Sequence, residues 1–287
     1  MESVGSIWLQ MGRVWWQTLS SPLFLLLYLL IFFLISRSYG RRKPADNSGK
    51  KPYDFLPSTF LSLLFGLCGG LIGSALLTMA GIDLRNINIL ALWLLALGLA
   101  LIHPRLICFA YAGGLLAWFD LMSSQPTGCV PQIIGLIAIL HLIESLLILV
   151  DGSTRPGRVE FKKQGQAVQG LQLQRFWPLL LVITCSADIE GGTTMPAWWP
   201  LLKCYPPANP DSLYIMLPVL AVLGYSETVS RSTPRRQVIR SARNLAVYSL
   251  TLLSLALGAS AFPFLCWAAA LFAPLGHELL IWLGKRC

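Results

Sequence analysis

The sequence predicts an all-α, polytopic transmembrane helix bundle of about eight or nine spans, with a possible short cytoplasmic β-hairpin. Of the 287 residues, 55% are hydrophobic and only 12% are charged, whereas soluble domains carry about 25% charged residues. The mean hydropathy is +0.64. Several apolar runs approach the ~20 residues that cross a bilayer as a helix. They lack the alternation of a membrane barrel, and backbone groups in hydrocarbon must pair internally, so helices are favoured.

Nine apolar segments are candidate spans, and the third, fourth, sixth and seventh are short. They cover residues 22–38, 57–80, 87–102, 106–122, 132–150, 176–190, 212–226, 245–262 and 263–283. Residues 1–21 are amphipathic and rich in tryptophan, which predicts a segment that lies in the membrane interface. The chain therefore divides into this segment, five spans over 22–150, a cytoplasmic loop over 151–175, and three to four further spans over 176–287.

Positive charge is concentrated in alternate loops. Loops 37–54, 151–175 and 227–244 each carry five or six lysines and arginines, whereas the loops between them carry few. The positive-inside rule makes the basic loops cytoplasmic, with the N-terminus outside and, for nine spans, the C-terminus inside. The basic loops also explain the net charge of +9, because such loops attract anionic lipid headgroups. No nucleic-acid partner is therefore expected. The expected contacts with headgroups or partners are Arg41, Arg42, Lys43, Arg235, Arg236 and Arg240.

Loop 151–175 is the longest polar connection and predicts a hairpin. Apolar and polar residues alternate on both sides of Gly165, which is typical of two short strands joined by a turn. The alternative is a plain solvated loop. A hairpin here would brace the bundle or bind a partner by edge pairing.

Small residues recur every fourth position in the second span, at Gly66, Gly70 and Ser74. This spacing lets membrane helices approach closely. It predicts packing inside the bundle, and the alternative use of the same face is self-association into a homo-oligomer.

The seven cysteines form no C-x-x-C pair and no cysteine–histidine zinc spacing. Cys129, Cys185 and Cys204 fall on the predicted outer side, so a disulfide such as Cys185 to Cys204 is one option. Sequence does not determine the connectivity. Cys68, Cys108 and Cys266 lie in apolar runs, which favours small core residues.

Two pairs of ionisable residues lie within apolar spans: His141 with Glu144, and His277 with Glu278. Residues at i and i+3 share a helix face, and a charge at the bilayer centre costs about 2.5–3.5 kcal/mol. The favoured interpretation is structural, with these groups bonded to neighbouring helices to set their register. The alternative is an intramembrane enzyme or a proton-coupled transporter built on the four residues.

The motifs that would support such chemistry are incomplete. An H-E-x-x-H metalloprotease site needs a second histidine, but Ile281 occupies that position in "HELLI". The G-x-S-x-G elbow and the paired broken segments of transporters are also missing. A site drawn from both pairs requires two helices to meet at one depth. The sequence therefore predicts no catalytic residue, no metal and no cofactor.

Several segments carry a family resemblance. "SPLFLLLYLLIFFLISRSYGRRK", "HPRLICFAYAGGLL", "IIGLIAILHLIESLLILVDGS", "GLQLQRFWPLLLV" and "FAPLGHELLIWLGKR" are similar, in this order, to segments of MinJ-type proteins. These are membrane-anchored PDZ proteins of Gram-positive (Firmicutes) bacteria. The resemblance covers the transmembrane portion only, and we expect no PDZ domain after the last span.

The resemblance implies a non-enzymatic scaffold or adaptor in the bacterial plasma membrane. MinJ-type proteins link the curvature-sensing DivIVA scaffold to the MinC–MinD inhibitor of division-ring assembly, at septa and poles. The expected partners are therefore membrane or cytoplasmic division and polarity proteins. The resemblance transfers no catalytic residue.

Overall fold

The computed structural model describes residues 4–40, 43–44, 56–123, 129–163, 166–187, 192–204, 212–229 and 233–285. Helices and one four-stranded antiparallel sheet, in the order β1-β2-β3-β4, make up the fold. The helices are α1 (Val4–Leu19), α2 (Pro22–Gly40), α3 (Leu56–Ala80), α4 (Ile89–Ile102), α5 (Phe109–Met122), α6 (Val130–Asp151), α7 (Pro234–Ala261) and α8 (Leu265–Lys285), with a 3-10 turn at Pro104–Ile107. The strands are β1 (Lys43–Pro44), β2 (Gly157–Lys163), β3 (Gln166–Ser186) and β4 (Tyr214–Val229).

Five helices of the described chain, α2, α3, α6, α7 and α8, are long and apolar enough to cross a membrane. The apolar helices α4 and α5 are shorter, with 14 residues each. The five long apolar helices are compatible with a membrane protein. Five is fewer than the eight or nine helical spans that the sequence predicts.

The largest difference from prediction is the sheet. The predicted helical spans 176–190 and 212–226 are wrong, because residues 176–186 and 214–226 lie in β3 and β4, and the all-α class is corrected accordingly. The two strands pair antiparallel without interruption from Leu171↔Val229 to Ser186↔Tyr214. This ladder pairs the backbone groups of both strands, as apolar surroundings demand. Because a helix meets the same demand, an apolar run by itself does not distinguish a strand from a helix.

Two prolines favour strands over helices in these segments. Pro218 falls in the interior of the predicted helix 212–226, where proline costs about 3 kcal/mol. In the sheet, Pro178 and Pro218 occupy even-numbered positions, whose backbone groups point away from the β3–β4 ladder. Phe176 N and Val182 N on β3, and Tyr214 N on β4, point the same way. The missing N–H of each proline therefore breaks no bond between β3 and β4.

The predicted hairpin is confirmed as β2 and the first part of β3. The register runs from Gly157↔Gln172 to Lys163↔Gln166, which leaves residues 164–165 as the connection, outside the described residues. β3 then continues far beyond the hairpin and forms the middle of the fold, because the predicted sixth span extends the same strand.

α6 is the central helix, and it packs against α3, α5, α7 and α8. Its side chains supply much of the main core, including Ile133, Ile137 and Ile143, each at most 1% exposed. The core extends to the odd-numbered face of β3, where Trp177 and Leu179 are fully buried.

α1 covers the other face of the sheet. Ile7 and Met11 pack on Val182 and Met216, and Trp15 Nε1 donates to the carbonyl of Leu180 at 3.2 Å. One side of this predicted interfacial segment therefore contacts protein.

The disulfide joins Cys129 to Cys204, with Cα atoms 5.2 Å apart, so the option of Cys185 to Cys204 is wrong. Nearby contacts bring the two loops together: Gln132 Nε2 donates to the carbonyl of Leu202, and Cys129 N donates to that of Asn86. Cys185 has a free thiol on the face of β3 that packs towards the core.

Candidate functional site

His141 lies on α6 and is 4% exposed. Its Nδ1 is 2.8 Å from the carbonyl of Ile137, one turn earlier. Because that carbonyl only accepts, Nδ1 carries the proton and Nε2 keeps a lone pair. The ring also meets Tyr248 of α7 edge to face, with centroids 5.6 Å apart.

Cys108 faces this lone pair. It is the residue immediately before α5, and its Sγ is 3.2 Å from His141 Nε2. The sequence predicts only a small core residue here, since cysteine in an apolar run is usually that. Nothing in the spacing to His141 signals the contact, because the two residues belong to different segments of the chain, one before α5 and the other within α6.

His277 of α8 completes the cluster. Its ring centroid is 5.6 Å from that of His141, and its Nδ1 is 3.2 Å from the hydroxyl of Tyr111. That hydroxyl donates to Glu278 Oε1 at 2.7 Å, so it accepts the Nδ1 proton of His277. Arg105 Nη2 also donates to Glu278 Oε1, at 2.8 Å.

One ligand atom from each of Cys108, His141 and His277 lies within 4.8 Å of the other two. The three residues come from the segment before α5, from α6 and from α8. We name them the Cys-His-His cluster. Thiolate sulfur and imidazole nitrogen are the ligands that zinc and other late transition metals prefer.

Of the four ionisable residues identified in apolar spans, the structure brings the two histidines together and separates the glutamates. Glu278 is a partner of Tyr111 and Arg105. Glu144 is one turn after His141 and is half-buried, and its carboxylate accepts no hydrogen bond from the residues described. Neither carboxylate belongs to the group at ligand distance.

The predicted small-residue face of α3 packs against a strand. A Cβ added to Gly70 would lie 2.5 Å from the carbonyl oxygen of Leu180, and one added to Gly66 would meet the carbonyl of Pro178. Ser74 Oγ accepts from Val182 N at 2.8 Å. This face of α3 therefore lies close to the edge of β3, a strand and not another helix.

Side chains cap that edge of β3. Tyr39 OH accepts from Phe176 N at 3.1 Å, and Tyr28 OH donates to the carbonyl of Pro178 at 3.0 Å. With Ser74 and Trp15, these groups satisfy backbone atoms that point away from β4. The part of β3 beyond β2 therefore has its free edge covered by α1, α2 and α3.

The outer edge of β4 has much less cover. Within the described ranges its backbone pairs only at Tyr214, with Thr193. From Ile215 to Gly224, no described backbone group bonds to the edge opposite β3. We name this stretch the open edge. Two of its side chains are well exposed: Leu217 is 37% exposed and Val222 is 50% exposed.

A buried ion pair anchors the sheet to α6, and no sequence pattern beyond the residue types indicates it. Arg175 donates to both carboxylate oxygens of Asp151, and each residue is 1% exposed. Trp177 Nε1 donates to Asp151 Oδ2 at 2.8 Å. Arg175 thus belongs to the core, although the sequence places it in the basic loop 151–175.

The predicted headgroup contacts that the structure describes lie near one end of the molecule. Arg235, Arg236 and Arg240 are exposed at the start of α7, and Arg235 Nη1 donates to the carbonyl of Leu149 at 2.9 Å. Lys43 pairs through its backbone with Arg158. Arg41 and Arg42 lie outside the described residues.

No protein-family model, curated protein or solved structure matches the chain.

Proposed function

We propose that this chain is a non-enzymatic integral membrane scaffold that holds a partner along the open edge of β4. The observation that carries the proposal is the run from Ile215 to Gly224, where the backbone has no described partner on one side. Unpaired backbone groups at an exposed strand edge are a template for another chain.

The depth of this edge supports the proposal. β3 runs alongside α3, because Gly66, Gly70 and Ser74 meet Pro178, Leu180 and Val182 in turn. α3 is long and apolar enough to span a membrane, and β4 is paired to β3 throughout this stretch. Open edges facing lipid are very costly, so a partner that covers this edge gains its hydrogen bonds in surroundings without water.

The occupant we propose is an apolar, extended segment of another membrane protein. A helix has no free backbone groups to pair with the edge, whereas an extended segment adds a strand. Exposed Leu217 and Val222 favour apolar side chains in that segment. Exposed arginines follow β4, at positions 235, 236 and 240, and favour acidic residues where the segment leaves the sheet.

Two ends of the molecule support the proposed orientation in a bacterial plasma membrane. The backbone pairing of Lys43 with Arg158, and the bond from Arg235 to Leu149, bring the three basic loops to one end. The Cys129–Cys204 disulfide is at the other, and disulfides persist in oxidising compartments. The basic end would be cytoplasmic, with the N-terminus outside.

Proline substitutions on β4 test the open edge. Leu220 and Val222 direct their N–H groups outwards, so Leu220→Pro and Val222→Pro remove donors that β3 does not use. We expect both variants to keep the fold and to lose partner capture. Ala221→Pro is the matched control, because its N–H points to β3 and its loss should destabilise the sheet itself.

Capture is measured by photo-crosslinking in cells, with a benzophenone amino acid at position 222 and, as a lipid-facing comparison, at exposed Leu26 of α2. The expected result is a discrete adduct with another membrane protein from position 222 that Leu220→Pro removes. Identical adducts from both positions, or adducts that persist in Leu220→Pro, contradict the proposal. Adducts with a second copy would make this edge a homo-oligomer interface instead.

The division-site role rests on the resemblance to MinJ-type proteins, and localisation tests it. A fluorescent fusion is expected at septa or poles, with a division defect on deletion. Uniform membrane fluorescence together with normal division would exclude this role and leave the test of the open edge unaffected.

A further inference from the structure

We infer that Cys108, His141 and His277 form a binding site for a divalent transition-metal ion of the zinc class. This site is independent of the scaffold proposal, since it lies on the side of α6 that faces α5, α7 and α8, whereas the sheet packs elsewhere.

The spacing of the ligand atoms fits such an ion. Zn–S bonds of about 2.3 Å and Zn–N bonds of about 2.0–2.1 Å separate tetrahedral ligand atoms by roughly 3.3–3.6 Å. Cys108 Sγ and His141 Nε2 are 3.2 Å apart, and all three ligand atoms are within 4.8 Å of one another. Binding one ion therefore requires the longest of these separations to shorten by no more than about 1.5 Å.

The hydrogen bonds around both histidines match those of metal ligands. A metal-bound histidine almost always donates its other N–H to a carbonyl, a carboxylate or a similar acceptor, which sets the tautomer. His141 Nδ1 has the carbonyl of Ile137, and His277 Nδ1 has the Tyr111 hydroxyl, itself bonded to Glu278. Each ring is thus left with Nε2 as the lone-pair nitrogen.

The surroundings also balance the charge. A zinc ion with one thiolate and two neutral imidazoles carries a net charge of +1. The Glu278 carboxylate is linked to His277 by two hydrogen bonds through the Tyr111 hydroxyl. Cys108 precedes the first residue of α5, and the N-terminal end of a helix favours a thiolate. Three protein ligands leave a fourth position for water or another ligand.

The competing explanation is a cluster without metal, in which the Cys108 thiol donates to His141 Nε2. Metal content separates the two. Wild-type protein, purified in detergent without chelators and equilibrated with Zn²⁺, is expected to retain about one ion per chain after desalting. Replacement by Co²⁺ is expected to give a thiolate-to-cobalt charge-transfer band in the near ultraviolet. Wild-type protein that retains no zinc and gives no such band overturns the inference.

Variants assign the ligands. Cys108→Ser, His141→Gln and His277→Gln are each expected to lose the charge-transfer band or most of the bound zinc. Cys185→Ser and His103→Gln are matched controls outside the cluster and should keep both. Correct assembly is checked by the presence of the Cys129–Cys204 disulfide, and ligand variants that assemble yet keep the full zinc content also overturn the inference.

Discussion

Arg175 and Asp151 pair where β3 meets the end of α6, and each is 1% exposed. Two charges in such a place cost several kcal/mol each to desolvate, and only mutual contact with further hydrogen bonds offsets that cost. Trp177 supplies one such bond, and the guanidinium also lies 5.6 Å from the ring centre of Tyr39. The pair therefore specifies how the sheet meets the helix more than it adds stability.

Arg175→Met is expected to lower the free energy of unfolding by about 3–5 kcal/mol, because it leaves the Asp151 carboxylate buried and unpaired. The double variant Arg175→Met with Asp151→Leu should recover most of that loss. Unfolding in mixed micelles measures both. Arg236→Met, at an exposed position, is the control and should change stability by less than about 0.5 kcal/mol. A double variant as unstable as the single one would show that shape, and not charge, matters here.

At the scale of elements, α3 is the helix that lies between sheet and bundle. Gly66, Gly70 and Ser74 face β3, whereas Gly69 and Gly73 face Ile143 of α6. Small residues on both sides let a helix contact a strand edge and another helix closely. The recurrence of these residues predicts close approach, but nothing in their spacing says whether the neighbour is a helix or a strand.

Gly70→Ala tests this packing. A Cβ at residue 70 would lie 2.5 Å from Leu180 O and 2.8 Å from Leu180 N, so α3 must move from β3, at a cost of about 1–3 kcal/mol. Gly98→Ala in α4 is the matched control, because a Cβ there meets nothing within 4 Å. That control should be neutral or gain about 0.5–1 kcal/mol. Equal effects in thermal unfolding would count against the α3–β3 contact.

The whole molecule has two ends with different chemistry. Tyr214, the first residue of β4, pairs with Thr193 near the disulfide-linked loops, and the start of α7 lies beyond the far end of β4. With ~3.3 Å per residue, the 16 residues of β4 separate those ends by roughly 50 Å. That length exceeds the ~30 Å of hydrocarbon in a bilayer.

Labelling of introduced cysteines tests the orientation. Thr194→Cys and Thr233→Cys are both at exposed positions, at opposite ends of β4. A membrane-impermeant maleimide is expected to label Thr194→Cys in intact cells, and Thr233→Cys only after permeabilisation, each against the parent chain. The reverse pattern would invert the proposed topology.

Particular residues show what the sequence by itself determined. Composition identified an apolar, membrane-compatible chain, because so few charged residues cannot cover the core of a soluble domain with polar surface. Alternation around Gly165 predicted the hairpin, and the spacing of Gly66, Gly70 and Ser74 predicted a close contact. Both are local patterns, and local geometry follows directly from side-chain period.

Only the tertiary structure decided the rest. Residues 176–186 and 214–226 are as apolar as helical spans, and they are strands because β3 pairs with β4, a contact between distant residues. Cys108, His141 and His277 meet because the start of α5, α6 and α8 pack around one point, and Cys129 joins Cys204 because two loops meet at one end. Such contacts depend on how elements pack in space, and no spacing along a single chain encodes them.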